Sequence, residues 1–347
     1  MKTSTISNLS ITNALRMTMT QTQKELVVAQ AESVSGKHYD MGISLGAKTA
    51  QSLDLNREVD RLKALNTSNS LVTTRLGASQ AALKDMAASG QEILNTVLAF
   101  GGNEDSQSLA TSKTSIQNYL NSIVEKANFS SNGEYLFSGI NTDVKPLKDT
   151  ALSSTSSFLQ SELASFMTAN GIASKSQITE SQMSTFLSQV EATFTSDAYW
   201  KANISNASDT NTQSRITQGE VVQTSVNTNE QSMRKLVLGS AVALEFMDAS
   251  LPPSARNAVQ KFSQDKLYQG TNGITAMQGK LGLSEERVKK ASDSLESQQT
   301  IITKYLGDLE GVDTVEVASR LKSLLSLVDA SYTLTARIQQ LSLVNFL

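Results

Sequence analysis

The chain has 347 residues, with 30 Lys and Arg against 33 Asp and Glu, a net charge of −3, one His and no Cys. The missing cysteine excludes disulfides and thiolate metal sites, the single histidine excludes a His-based metal cluster, and no basic patch interleaved with aromatics marks a nucleic-acid surface. Only 5% of residues are aromatic and 18% charged, which suits thin Leu, Ile, Val and Ala layers between helices, and the length predicts two or three domains.

The N-terminal 35 residues predict an amphipathic helix with Ile11, Leu15, Met19, Leu26 and Ala29 roughly on one side. The opening stretch MKTSTISNLSITNALRMTMTQTQ carries no charged segment followed by an apolar one, so no cleavable secretory signal is expected. Nor does any run approach the length of apolar residues that a membrane-spanning helix needs, so no membrane partner is expected. At SGKHYDMGISLG (35–46) glycines and polar residues interrupt the period. His38 reads there as a solvated loop residue. GISLGAKT (42–49) misses the spacing of a phosphate-binding loop and reads as a flexible connector.

From Leu62 the apolar residues step alternately by three and four: Leu62, Leu65, Val72, Leu76, Leu83, Met86, Ile93, Val97 and Phe100. Asn69, Ser79 and Gly90 are the only non-apolar members of this seam. As one helix, 62–100 would run roughly 58 Å at 1.5 Å per residue. Gly101 and Gly102 supply the stop. A second helix, 109–127, carries Ile116, Leu120 and Ile123 on one face, and the short connection predicts an antiparallel return.

NGEYLFSGINT (132–142) then brings two alternating aromatics between Gly133 and Gly139. It predicts a short strand or hairpin with Tyr135 and Phe137 on one face, capping the apolar end of the bundle. Residues 146–228 hold Ser/Thr-rich turns, two short amphipathic helices around 156–171 and 181–194, the single Trp200, and an alternating stretch at 215–226 that reads as a strand. Seams resume at Val288, Ala291, Leu295, Gln298, Ile302, Tyr305 and Leu309, and again at Leu324, Leu327, Ser331, Leu334, Ile338 and Leu341. The acidic groups Glu285–Glu286 and 308–313 read as helix starts or surface turns.

The expected architecture is mainly α: an elongated helical-bundle or coiled-coil rod formed by both chain ends, with a small inserted α+β domain. Residues 1–40 and 312–347 would form terminal helices, 41–145 and 229–311 the bundle, and 146–228 the insertion. The terminal helices, bearing Ile11, Leu15, Leu26, Leu324, Leu327, Leu334, Ile338 and Leu341, have little in their own chain to pack on. Their stripes call for neighbouring copies. Ser331 would set register there at some cost in stability. No nucleophile constellation, cofactor motif or metal-ligand spacing occurs, so no enzyme is expected, and the sequons at Asn66, Asn128, Asn203 and Asn206 arise from composition alone.

With those residues in view, the chain resembles the bacterial flagellin family. ESVSGKHYDMG (32–42) is similar to that family's Ser-Gly-Lys/Arg break, and the leucine-rich tail SRLKSLLSLVDASYTLTARIQQLSLVNFL resembles its C-terminal helix. NFSSNGEYLFSGINTDVKPL (128–147) looks like the segment of the hook-associated protein 3 branch, on Asn132, Gly133, Tyr135, Leu136, Phe137, Gly139 and Thr142. The resemblance implies a secreted, extracellular flagellar subunit, exported unfolded through the flagellar type III pathway and attended by a cytosolic chaperone. It further implies a homo-oligomeric ring at the hook–filament junction, with a hook-associated protein 1-like neighbour on the hook side and flagellin on the other. A flagellin-type filament subunit is the alternative.

Overall fold

The computed structural model describes residues 8–99 and 105–344, so Phe100, Gly101 and Gly102 lie outside the described residues. Among the described residues the elements are ten α-helices and four short strands, and the class is mainly α. Contacts divide the chain into two compact units: the residues up to Ala64 with those from Leu295 on, and Leu65–Ser294.

The first unit contains α1 (Asn8–Ser35), the short α2 (Met41–Leu45), the start of α3 (Thr49–Ala99), the end of α9 (Pro253–Glu310) and α10 (Thr314–Val344). Threonine and serine are poor helix formers because they compete for the backbone, yet here their hydroxyls bond the carbonyl four residues back. Thr18 donates to Ala14, Thr20 to Arg16 and Thr22 to Thr18, each at 2.9 Å. The segment 41–48 is helical rather than a loose connector: Asp40 caps α2 by accepting from the Ile43 amide, and a 3₁₀ turn at Gly46–Lys48 leads into α3. α1 and α10 pack along one another. The apolar interior of this unit is thin, made chiefly by Ala29, Val59, Leu62, Leu306, Val317 and Leu324.

The second unit is built differently. α3 and α4 (Ser106–Ala127) form an antiparallel pair, with Asp85 against Lys126 and Ser89 against Ser122. The seam of α3 is buried as its spacing requires: Leu76, Leu83, Met86, Ile93 and Val97 are inaccessible to solvent, while Leu65 and Val72 are half-buried. Its non-apolar members have specific work. Asn69 donates to the Ile216 carbonyl and to Ser292, and Ser79 turns its hydroxyl back to the Arg75 carbonyl. Gly90 lies where α8 (Gln231–Phe246) crosses: a Cβ there would stand 2.8 Å from the Leu236 side chain.

Residues 146–228 share this core. α5 (Ala151–Ala169), α6 (Glu180–Phe194) and α7 (Asp197–Asn203) contribute Leu159, Leu163, Phe186, Phe194 and Trp200 to the same apolar cluster as α3, α8 and α9. The scarce aromatics concentrate here. Phe158 lies 4.4 Å from Tyr199 between ring centroids, and Phe194 meets Trp200 edge-on at 5.6 Å. Burial raises the Tyr199 hydroxyl to about 12, with the Glu162 charge adding to the effect.

A polar knot ties the segment to α8. Trp200 donates its indole N–H to Asn229, whose amide donates to the Ala207 carbonyl and to Asp209. The buried Arg234 donates to the carbonyls of Asn229 and Thr195 and pairs with Asp197 at 2.6 Å.

The strand expected at 215–226 and the face expected for Tyr135 and Phe137 both need correcting. Residues 215–226 do not form one strand but half of a hairpin, β3 (Gln213–Arg215) pairing antiparallel with β4 (Val221–Gln223), because Gln218 and Gly219 turn the chain. The aromatic segment takes the hairpin form that its sequence allowed, β1 (Ser130–Ser131) with β2 (Glu134–Tyr135). The chain leaves extended pairing after Tyr135, so Leu136 and Phe137 are both buried and Tyr135 is half-exposed, rather than Tyr135 and Phe137 sharing a face. Replacing Leu76 and Leu83 together by Asp should unfold this unit, since each unpaired carboxylate forced into an apolar core costs several kcal/mol; an unchanged thermal melt would contradict the buried seam.

Candidate assembly surface and its polar node

In the first unit, the two glycine-containing breaks meet. The Val312 amide donates to the Gly36 carbonyl and the His38 amide to the Glu310 carbonyl, both at 3.0 Å, and Lys37 bridges Gly311 in antiparallel fashion. The SGK break and the LEGVD stretch (309–313), whose acidic residues read as helix starts or surface turns, are thus two halves of one joint.

Two buried carboxylates clamp it. Glu310, with 4% of its side chain exposed, accepts from Lys37 Nζ at 2.7 Å and from Asn56 Nδ2 at 2.9 Å, and it also accepts the Ser52 hydroxyl. Glu32 accepts from the Tyr39 amide at 3.2 Å, pairs with Arg320, and has His38 Nδ1 at 3.9 Å. Residues from α1, α3, α9 and α10 therefore converge on two acidic side chains. Glu310 was expected at a surface turn and His38 as a solvated residue; both are instead drawn into the node, Glu310 buried and His38 half-buried, because the opposing break supplies donors that neither local sequence reveals. Burial pushes the Glu310 carboxyl up, but the hydrogen bonds from Lys37, Ser52 and Asn56 and the Lys37 charge outweigh it and hold the group below the usual glutamate value.

Beyond the node, α1 and α10 leave apolar side chains uncovered. On α1, Met17 is 75% and Val34 86% exposed, and Ile11 and Val27 are also open. On α10 the expected seam splits into two faces. Leu324 and Ser331, seven residues apart, are buried, whereas Leu327 and Leu334 are each 47% exposed, alongside Leu325 and Tyr332. Leu15 and Leu26 are half-buried, and the side chains of Ile338 and Leu341 lie outside the described residues. One partner helix covers one row of a two-row stripe, and the second row remains for something else.

The segment 128–142 in the second unit belongs to the same inventory. Asn132 and Gly133 form the hairpin turn, Tyr135 donates its amide to the Thr142 carbonyl at 2.8 Å, and Leu136 and Phe137 enter the core. Gly139, at φ 65°, is pinned: a Cβ there would come within 2.5 Å of the carbonyl oxygens of Ser208 and Thr210. The Ile140 amide donates to Thr210 and the Thr228 amide to Phe137, so this stretch seats the inserted residues against the helices. Among the described residues no cluster of three or more acidic or His side chains could hold a metal, and no helix is long and apolar enough to cross a membrane.

Long helices drawn from both ends of the chain thus pair beside two glycine breaks and leave open apolar rows. The bacterial flagellin N-terminal helical region matches residues 6–142 and the bacterial flagellin C-terminal helical region matches residues 265–347, so the chain belongs to the bacterial flagellin family. Its fold is similar to a solved structure from Vibrio parahaemolyticus, a flagellar hook-associated protein by provisional designation, with a TM-score of 0.54 at 13% identity over 76% of this chain and 97% of that one. No curated protein sequence matches it.

Replacing Lys37 by Ala should lower the stability of the first unit by about 1–3 kcal/mol, since Glu310 loses its charged donor while remaining buried. Because the Glu310 pKa is depressed on folding, its contribution is present above the ordinary glutamate value and is lost as pH falls through the lowered one. Acid unfolding followed by circular dichroism should therefore be less steep in Glu310→Gln than in the parent; identical acid profiles would remove Glu310 from the account.

Proposed function

We propose that this chain is a structural adaptor of the bacterial flagellum, joining a hook-associated neighbour to the flagellin filament as a homo-oligomeric ring outside the cell. The observation that carries the reading is the anchored segment 128–142. Its residues resemble the hook-associated branch, and they serve as the seat of the inserted part, with Leu136 and Phe137 buried and Gly139 held by the Ser208 and Thr210 carbonyls. The hook-associated designation of the structural neighbour supports the same choice.

Assembly on this reading is coupled folding. Ordering a chain costs roughly 1–2 kcal/mol per residue in backbone entropy, and the few apolar side chains buried between α1 and α10 offset little of that. Covering the outer row of Leu327 and Leu334 together with Met17 and Val27 contributes about 1.5–3 kcal/mol for each large side chain fully removed from water. Neighbouring subunits supply that cover, and a cytosolic chaperone supplies it before type III export. On this reading 1–40 and 312–347 are the tube-forming part, 41–145 and 229–311 the bundle, and 146–228 an insertion seated on it.

A flagellin-type filament subunit is the second reading, favoured by the two flagellin regions that the chain matches. Deleting the gene in its host separates the two. Hooks without filaments, with unassembled flagellin shed into the medium, are expected; filaments of normal length would make this a filament subunit instead. Removing residues 338–347 should leave the second unit folded and abolish incorporation into flagella, read by a blot of sheared filaments; normal incorporation would contradict assembly through the terminal helices.

A further inference from the structure

Three Asn-Gly pairs occur in the chain: Asn132–Gly133, Asn170–Gly171 and Asn272–Gly273. In such a pair the glycine amide nitrogen can attack the asparagine side-chain carbonyl, since no Cβ shields it. We infer that Asn132 is a site of spontaneous intramolecular deamidation in the folded protein, and that the other two pairs are protected by their structural settings.

The settings differ in the two atoms that must meet. Asn132 and Gly133 make up the two-residue turn between Ser131 and Glu134, with φ 53° and 83°, the mirror-image hairpin turn that needs positive φ at both positions. Both residues are exposed, space around Gly133 is open, and no hydrogen bond within the described residues holds the Asn132 carboxamide or the Gly133 amide. Asn170 closes α5 instead. Its carboxamide donates to the Phe166 carbonyl at 2.8 Å, and the Gly171 amide donates to Thr168 at 3.3 Å, so both reacting groups are engaged. Asn272 and Gly273 lie inside α9, where the glycine amide belongs to the helical ladder. A Cβ at Gly273 would fall 2.2 Å from that of Ser232, so the backbone there has no room to swing.

The reaction at position 132 balances without any oxidant or reductant. The Gly133 amide nitrogen loses its proton and forms a bond to Asn132 Cγ; the carboxamide nitrogen leaves as ammonia, giving a cyclic imide. Water then opens either carbonyl, yielding aspartate or isoaspartate at position 132. Either product places a new carboxylate two residues from Glu134, which already pairs with Arg75. The isoaspartate form also lengthens the backbone by one methylene, which a two-residue turn cannot absorb while keeping Ser131 paired with Glu134.

The test is to incubate the full-length folded protein in mildly alkaline buffer and follow all three peptides by mass spectrometry and by labelling with an isoaspartate methyltransferase. The peptide containing 132 should convert many times faster than that containing 272, with 170 also slow, and urea should bring all three to similar rates. An unmodified position 132 in folded protein, alongside conversion in urea, would overturn the inference. Equal conversion at all three positions in the folded protein would overturn it equally.

Discussion

Glu32 and Glu310 carry the heaviest constraint in the molecule. Each is a carboxylate removed from water, tolerable only because donors converge on it from parts of the chain far apart in sequence: Lys37, Ser52 and Asn56 on Glu310, Arg320 and the Tyr39 amide on Glu32. A buried ion pair is a modest source of net stability, but losing one partner is costly, so such a node specifies an arrangement more than it strengthens one. Here it specifies how α1, α3, α9 and α10 meet at two glycine breaks. The apolar rows of the terminal helices take their orientation within this unit from it.

The two units meet the entropy of folding by different means. The second has a continuous apolar core with an aromatic centre at Phe158, Phe194, Tyr199 and Trp200, and a polar knot through Asn229 and Arg234 in which the buried guanidinium is matched by carbonyls and Asp197. The first has Ala29, Val317, Leu324 and a polar node, with large apolar side chains left in water. That contrast is what the proposed coupled folding needs, with neighbours covering the terminal helices of a subunit whose remainder packs on itself.

Periodicity made the helices legible. The 62–97 seam, the antiparallel return through Ile116 and Ile123 and the two helices of the insertion all follow from apolar spacing, because one partner face decides each of them. What periodicity does not encode is where a polar residue finds its partner across long separations. Glu310 looked like a surface acid because its partners Lys37 and Ser52 lie more than two hundred and fifty residues away. The pairing of two breaks, each with a glycine beside charged residues, was the available signal. The single strand at 215–226 and the shared face of Tyr135 and Phe137 were misjudged for a local reason: alternation over a few residues does not reveal a short pairing that turns, as at Gln218 and Gly219, or one that ends inward, as at Leu136 and Phe137. On α10 the spacing gave the apolar rows but not which row faces α1, since both repeat every seven residues.

Coupled folding, as proposed, requires terminal helices that are only conditionally ordered, and hydrogen exchange on the unassembled full-length protein tests that directly. Amides of α8 and of 65–99 in α3 should exchange slowest, while those of α1 and α10 exchange fast in the free subunit and become protected in assembled flagella. Equal, strong protection of α1 and α10 in the free subunit would mean that these helices need no neighbours, and coupled folding would be wrong.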